Sequence, residues 1–213
     1  MFHIKSFTFN PFEENTYLLF DETNECIIID PGCYMEDEKK ELIDFIEANK
    51  LTPVQLLNTH CHVDHIFGNK FLFEKYKLLP ECHKNELQLL AAASEYSKLW
   101  GIFLDPSPTP KVFLDEEDEI KFGHQTLKIL FTPGHSPGSI CFYHVEEKKI
   151  ISGDVLFQMS IGRTDLPMGD YDTLIESIRT KLFTLPDDVK VFAGHGPATT
   201  IGFEKKNNPF LKN

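Results

Sequence analysis

The segment Thr59-His60-Cys61-His62-Val63-Asp64-His65 is where the side chains of this 213-residue chain are dense enough in metal donors to suggest chemistry. At this composition a His-x-His-x-Asp-His cluster is a roughly one-in-a-thousand accident. On extended backbone His60 and His62 point to the same side, so two imidazoles can grip one cation. Asp64 and His65 follow after the chain turns towards helix and can face a second cation. Imidazole and carboxylate donors suit zinc at a reactive site, whereas thiolates would signal a closed structural one. Cys61 points the other way and is read as packing. Three further groups carry compatible donors: Thr132-Pro133-Gly134-His135-Ser136-Pro137-Gly138, Ser152-Gly153-Asp154 and Gly194-His195-Gly196. Any one of them alone reads as a hydrogen-bonded turn histidine or a capping aspartate. Together with the histidine cluster they point to metal chemistry.

Each group needs an element to carry it, and the patterning supplies one. Strands are expected at Phe2–Asn10 and Thr16–Phe20, around a Pro11–Asn15 turn, then at Glu25–Asp30 and Pro53–Asn58. The last of these runs straight into the histidine cluster. Leu42, Phe45, Ile46 and Asn49 recur at helical spacing and predict a helix over Asp37–Asn49. Helices are also expected at His65–Tyr76 and at Asn85–Leu104, the second ended by the proline-rich Asp105–Pro110. The acidic run Asp115–Glu119 reads as a solvated turn between short strands. Strands at Gln125–Phe131, Ser139–His144 and Lys149–Ser152 follow, and the last helix is expected near Thr173, where Thr173-x-x-Glu176 has the form of a capping box. A final strand, Val189–Ala193, precedes His195. Strands in runs with helices between them favour an α/β (α+β) fold of mixed sheets covered by helices over an alternating barrel. The expectation is one domain, residues 1–213.

Composition closes off other classes. Lys and Arg number 21 against 33 Asp and Glu, a formal charge of −12, which disfavours nucleic acid and anionic membrane as partners. No stretch approaches the roughly 20 apolar residues of a membrane span. The N-terminus alternates like a strand and lacks a signal peptide's apolar block, so a cytoplasmic location is expected. Five cysteines at irregular spacings, none in Cys-x-x-Cys, argue against a disulfide framework and a thiolate zinc site. No Gly-x-Ser-x-Gly elbow supports a serine nucleophile. Nothing in the sequence specifies an oligomeric state.

With these motifs in view, the chain resembles the metallo-β-lactamase-fold hydrolases, and within them the small glyoxalase II-like (hydroxyacylglutathione hydrolase-like) proteins. The resemblance runs from Asp30-Pro31-Gly32 through the histidine cluster, Thr132–Gly138 and Gly153–Phe157. It continues through Gly162-Arg163-Thr164-Asp165 and Gly169-Asp170 to Gly194–Pro197 and Asn208-Pro209-Phe210. It implies a four-layer αββα sandwich with two mixed sheets. It also implies two Zn2+ ions, with iron or manganese as alternatives. His60, His62 and His135 would hold one ion, Asp64, His65 and His195 the other, and Asp154 both. Such a pair activates water near neutral pH, here as a metal-bridging hydroxide. The implied activity is hydrolysis of a small-molecule thioester such as an S-2-hydroxyacylglutathione, whose thiolate leaves without a strong general acid. Asp64 and Arg163 are the candidate catalytic residues. Arg163 is also the candidate substrate contact, and with Asp165 it would hold its loop or a metal ligand by charge-assisted hydrogen bonds. Lys205 and Lys206 could add positive potential. Mononuclear iron persulfide dioxygenases of the same fold resemble the chain around Gly162–Asp170 and would use His60, His135 and Asp154; that activity and a lactonase are the alternatives. His3, His83, His124 and His144 have no matching partners and are read as structural.

Overall fold

Alternation along the chain builds the first sheet. In β1 (His3–Phe9) Phe7 and Phe9 turn inward while their neighbours face water. The hairpin to β2 (Glu14–Phe20) turns through Asn10 and Glu13, both in the left-handed region, and pairs Phe9 with Glu14. Strand β2 therefore starts two residues earlier than expected. β3 (Glu25–Ile29) pairs antiparallel with β2, and β4 (Thr52–Leu57) lies parallel to β3 after α1 (Glu36–Ala48). Leu42, Ile43 and Ile46 are the buried face of α1, packed with Phe7, Phe9, Leu18, Ile28 and Leu56.

The computed structural model describes residues 1–212, and contacts divide the chain into two compact units, residues 1–114 with 121–126 and residues 115–120 with 127 onwards. In the first unit the segment expected as one helix over His65–Tyr76 is broken. Val63–His65 is a single 3-10 turn, and α2 (Asn69–Tyr76) begins only after Gly68. The break has a steric cause. Gly68 donates its N–H to the Pro31 carbonyl at 2.7 Å, and a Cβ there would press on Cys33 and Pro31. β5 (Pro80–Glu81) adds parallel to β4, completing the order β1-β2-β3-β4-β5. The helix expected over Asn85–Leu104 is also shorter. A 3-10 turn occupies Lys84–Glu86, and α3 (Leu87–Leu99) stops at Trp100. Gly101, at φ +69°, ends it in a left-handed turn before the prolines are reached.

The second sheet is built from β6 (Glu119–Phe122), β7 (Gln125–Phe131), β8 (Ile140–His144), β9 (Lys149–Gly153), β12 and β13, with a small β10 (Leu156–Phe157) and β11 (Ser160–Ile161) hairpin beside it. α4 (Tyr171–Ser177) runs into a π-turn over Ile178–Leu182, then β12 (Lys190–Ala193) lies parallel to β9, with β13 (Thr199–Thr200) antiparallel outside it. The order is β13-β12-β9-β8-β7-β6. α4 is capped by Asp170, whose carboxylate accepts from Thr173 N–H at 2.7 Å, so Thr173 sits inside the helix and not at its cap. Nor is it the last helix. α5 (Ile201–Asn207) follows, capped by Thr200; its seven residues are too few to show helical periodicity in the sequence. Ile150, Leu156, Leu174, Ile178, Leu182, Val191 and Ile201 share this unit's core. The fold is thus mixed α/β with two mixed sheets, and no described helix is long and apolar enough to cross a membrane.

Asp21, at the end of β2, is buried with its carboxylate accepting from Thr23 N–H at 3.0 Å, His124 N–H at 2.7 Å and Gln125 Nε2 at 2.9 Å. Burial opposes its ionisation, but these donors outweigh that and hold its pKa well below the usual carboxylate range. With the folded pKa depressed, the stabilisation is complete above the unfolded value of about 3.9 and fades as pH falls from there. Asp21→Asn should cost about 2 kcal/mol at pH 7, and the gap to the parent should narrow below about pH 4 in urea midpoints.

Candidate metal centre

In the first unit β4 delivers the histidine cluster. Thr59 N–H and Oγ1 donate to the two oxygens of Asp30, at 2.7 and 2.5 Å, fixing the chain just before His60. His60 and His65 are fully buried, and His62 and Asp64 are half-buried. The His60 ring lies 4.9 Å from that of His62, at a right angle, and 4.1 Å from that of His65. Cys61 turns away as alternation predicts, into a cluster with Val63, Phe67, Cys82 and Leu89, and a Cys82 hydrogen bond and burial push its thiol pKa well up. All five cysteines are free and buried.

His65 is oriented from behind. Its Nδ1 lies 3.1 Å from Asp30 Oδ2, which leaves the Nε2 lone pair to serve as a ligand atom, 3.6 Å from Asp64 Oδ2. By distance alone Asp30, His60 and His65 form a possible metal-binding trio. Both Asp30 oxygens are already hydrogen-bonded, however, so Asp30 is an orienting group. The sequence reading passed over this role. Its signal was an aspartate at the end of β3, before Pro31-Gly32, on the strand paired with the one that ends in the cluster. Behind His65 sits Glu14, 3.9 Å from the same nitrogen, its pKa pushed well up by burial. Gly32 is required there, since a Cβ would overlap the Glu14 carboxylate and crowd the Asp64 carbonyl. Asn10 ties both carbonyls, Gly32 at 3.0 Å and Asp64 at 3.1 Å.

The second unit supplies the other donors from three strand ends. His135 follows β7, Asp154 follows β9 and His195 follows β12; Gly194 N–H donates to the Gly153 carbonyl at 2.8 Å, holding the last two together. His135 Nε2 and His195 Nε2 each lie 3.5 Å from the same oxygen, Asp154 Oδ2. Two imidazoles thus converge on one carboxylate oxygen. The Gly134 carbonyl accepts from Asp170 N–H at 2.7 Å and Pro133 from Ser177 Oγ at 2.7 Å, anchoring the His135 loop to α4. Arg163 meets His135 through its backbone: its carbonyl lies 2.8 Å from His135 Nδ1. The exposed guanidinium grips Asp165 with two hydrogen bonds, at 2.7 and 2.8 Å, and the Asp165 pKa is held at about 2 by that pairing. Lys205 is occupied by Asp187 at 2.7 Å. Of the remaining histidines, His83 Nδ1 accepts from Asn85 N–H, His144 is buried and His3 stacks on Phe20.

The donor set is imidazole and carboxylate throughout, with thiols excluded by their burial elsewhere, and this fits a reactive divalent metal site. Residues 9–195 match the model of the metallo-beta-lactamase superfamily. The chain belongs to that superfamily. It is 41% identical to the probable metallo-hydrolase YqgX of Bacillus subtilis over 203 residues, 94% of this chain and 93% of that one. Identity is also 41% to the hydroxyacylglutathione hydrolase GloC of Haemophilus influenzae over 202 residues, again 94% and 93%. Among solved structures, the BLEG-1 B3 metallo-beta-lactamase is 38% identical with a TM-score of 0.90, covering 100% of both chains. TTHA1623, solved in a di-iron-bound form, is 37% identical with a TM-score of 0.87, covering 97% of this chain and 100% of its own. The coarse activity follows: a metal-dependent hydrolase of the metallo-β-lactamase fold.

Gly162 is a second steric requirement. A Cβ there would overlap the Asp154 carbonyl oxygen and approach His135 Cβ to 3.1 Å. Gly162→Ala should therefore displace Asp154, weakening metal binding about tenfold or more in a chelator-competition titration while far-UV circular dichroism stays unchanged.

Proposed function

We propose that this chain is a binuclear, zinc-dependent thioester hydrolase of the glyoxalase II type, acting in the cytoplasm on an S-2-hydroxyacylglutathione or a related small thioester. In this reading His60, His62 and His135 would hold one ion, Asp64, His65 and His195 the other, and Asp154 would serve both. The observation that carries it is the single Asp154 oxygen with His135 and His195 at equal distances of 3.5 Å. The 41% identity to hydroxyacylglutathione hydrolase GloC supports the substrate class. Bound there, two dications supply the Lewis acidity that acidifies water and polarises a carbonyl.

The residues of the chain do the rest. Asp30 and the Arg163 carbonyl take the Nδ1 side of His65 and His135, so each imidazole offers Nε2. Asp64, half-buried at the edge of the cluster, is the carboxylate able to take a proton from an attacking water. A thioester suits this equipment because its thiolate, of pKa about 8.5, departs without protonation by a strong acid. The Arg163–Asp165 pair keeps its loop in shape, and the exposed Arg163 guanidinium would meet an anionic thiol conjugate. With a charge of −12, the chain has little attraction for nucleic acid or anionic membrane.

Metal quantification on protein purified without added metal, followed by a panel of thioesters and lactones, tests this directly. About two zinc ions per chain and thioester turnover are expected, with Asp64→Asn lowering kcat at least a hundredfold, a general-base-sized effect. One iron per chain with oxygen uptake on glutathione persulfide would replace the hydrolase with a dioxygenase. Full turnover after exhaustive chelation would end the metal reading altogether.

A further inference from the structure

Glu86 is fully buried in the first unit, at the junction of the Lys84–Glu86 turn and α3. An acidic residue at that position ordinarily caps its own helix or answers its dipole. Here the side chain makes no cap hydrogen bond to α3. Its Oε2 instead accepts the Cys61 N–H at 2.7 Å, reaching 25 residues back along the chain. That N–H belongs to the His60–Cys61 peptide, the first of the two peptide units between His60 and His62, so the carboxylate fixes backbone that sets the two imidazoles relative to each other. One residue before His60 the chain is held by Asp30 through Thr59.

A carboxylate is costly to bury. The cost falls when positive charge arrives nearby, and His60 and His62 are the imidazoles proposed to receive it. Asp30 and Glu14 are buried in the same unit, both close to His65. The first unit thus backs its imidazoles with buried acid groups, whereas the second unit backs His135 with a carbonyl.

We propose that Glu86 is a positioning residue for the metal centre: it orients the His60–Cys61 peptide and supplies a buried negative charge that strengthens cation binding. This rests on the metal reading given above. The distinguishing experiment separates hydrogen bond from charge. In Glu86→Gln the amide oxygen can still accept the Cys61 N–H, but the charge is gone; in Glu86→Ala both are lost. Co2+ is the probe, read by its visible absorption and by chelator-competition titration. The Gln variant should keep the parent's Co2+ spectrum and bind about tenfold more weakly. The Ala variant should bind about a hundredfold more weakly, with an altered spectrum. If the Ala variant fails to fold by circular dichroism, Glu86→Asp, one methylene too short to keep the Cys61 bond, takes its place: an altered Co2+ spectrum is expected, and a parent-like one would overturn the positioning role. Parent-like Co2+ affinity in the Gln variant would overturn the charge role, and a parent-like spectrum in a folded Ala variant would overturn the positioning role. A parent chain that takes up no Co2+ would overturn both this inference and the metal reading.

Discussion

The Asp30 carboxylate does two jobs at one place. It clamps the end of β3 to the end of β4 through Thr59, and it turns the His65 ring so that one nitrogen faces the cluster. Parallel strands alone leave their C-terminal ends as open backbone, with no means of fixing a side chain. A charge-assisted bond between neighbouring strand ends fixes the register and the ring together. Asp30 is held in a left-handed conformation, at φ +49°, which only the surrounding hydrogen bonds make worthwhile.

The second unit solves the same problem with different groups. Its donors also emerge from strand ends, but carbonyl oxygens and tight glycines replace carboxylates. Arg163 contributes a backbone oxygen to His135, and Gly162 lets the same loop lie directly on Asp154. Substituting a side chain in this shell would leave the carbonyl contact in place, so the geometry depends more on close packing than on charge. The first unit orients its donors mainly by electrostatics and the second mainly by steric fit.

Much of this was legible in the sequence. The cluster around His60, the strands that end at His135, Asp154 and His195, and the mixed-sheet class all follow from residue spacing and period. What escaped depends on residues meeting across long separations. Asp30 and Glu86 look like a turn residue and a helix-start residue until their partners at Thr59, His65 and Cys61 are known. The contact of Arg163 was expected from its guanidinium and is made by its carbonyl, which carries no residue-type signal at all. Helix limits failed for a related reason: Gly68 stops α2 from starting early only because Pro31 lies against it, and Gly101 ends α3 ahead of a more conspicuous run of prolines.

The five cysteines also bear on how the protein can be handled. All are buried, and burial pushes the Cys26 thiol up to about 12; Cys141, where a Thr132 contact opposes it, and Cys33 reach the same value chiefly by burial. Thiolate is the reactive form, so the folded chain is close to silent towards maleimides and other alkylating labels at neutral pH. One cysteine engineered onto an exposed loop would then take a spin label or fluorophore selectively, with none of the native five removed.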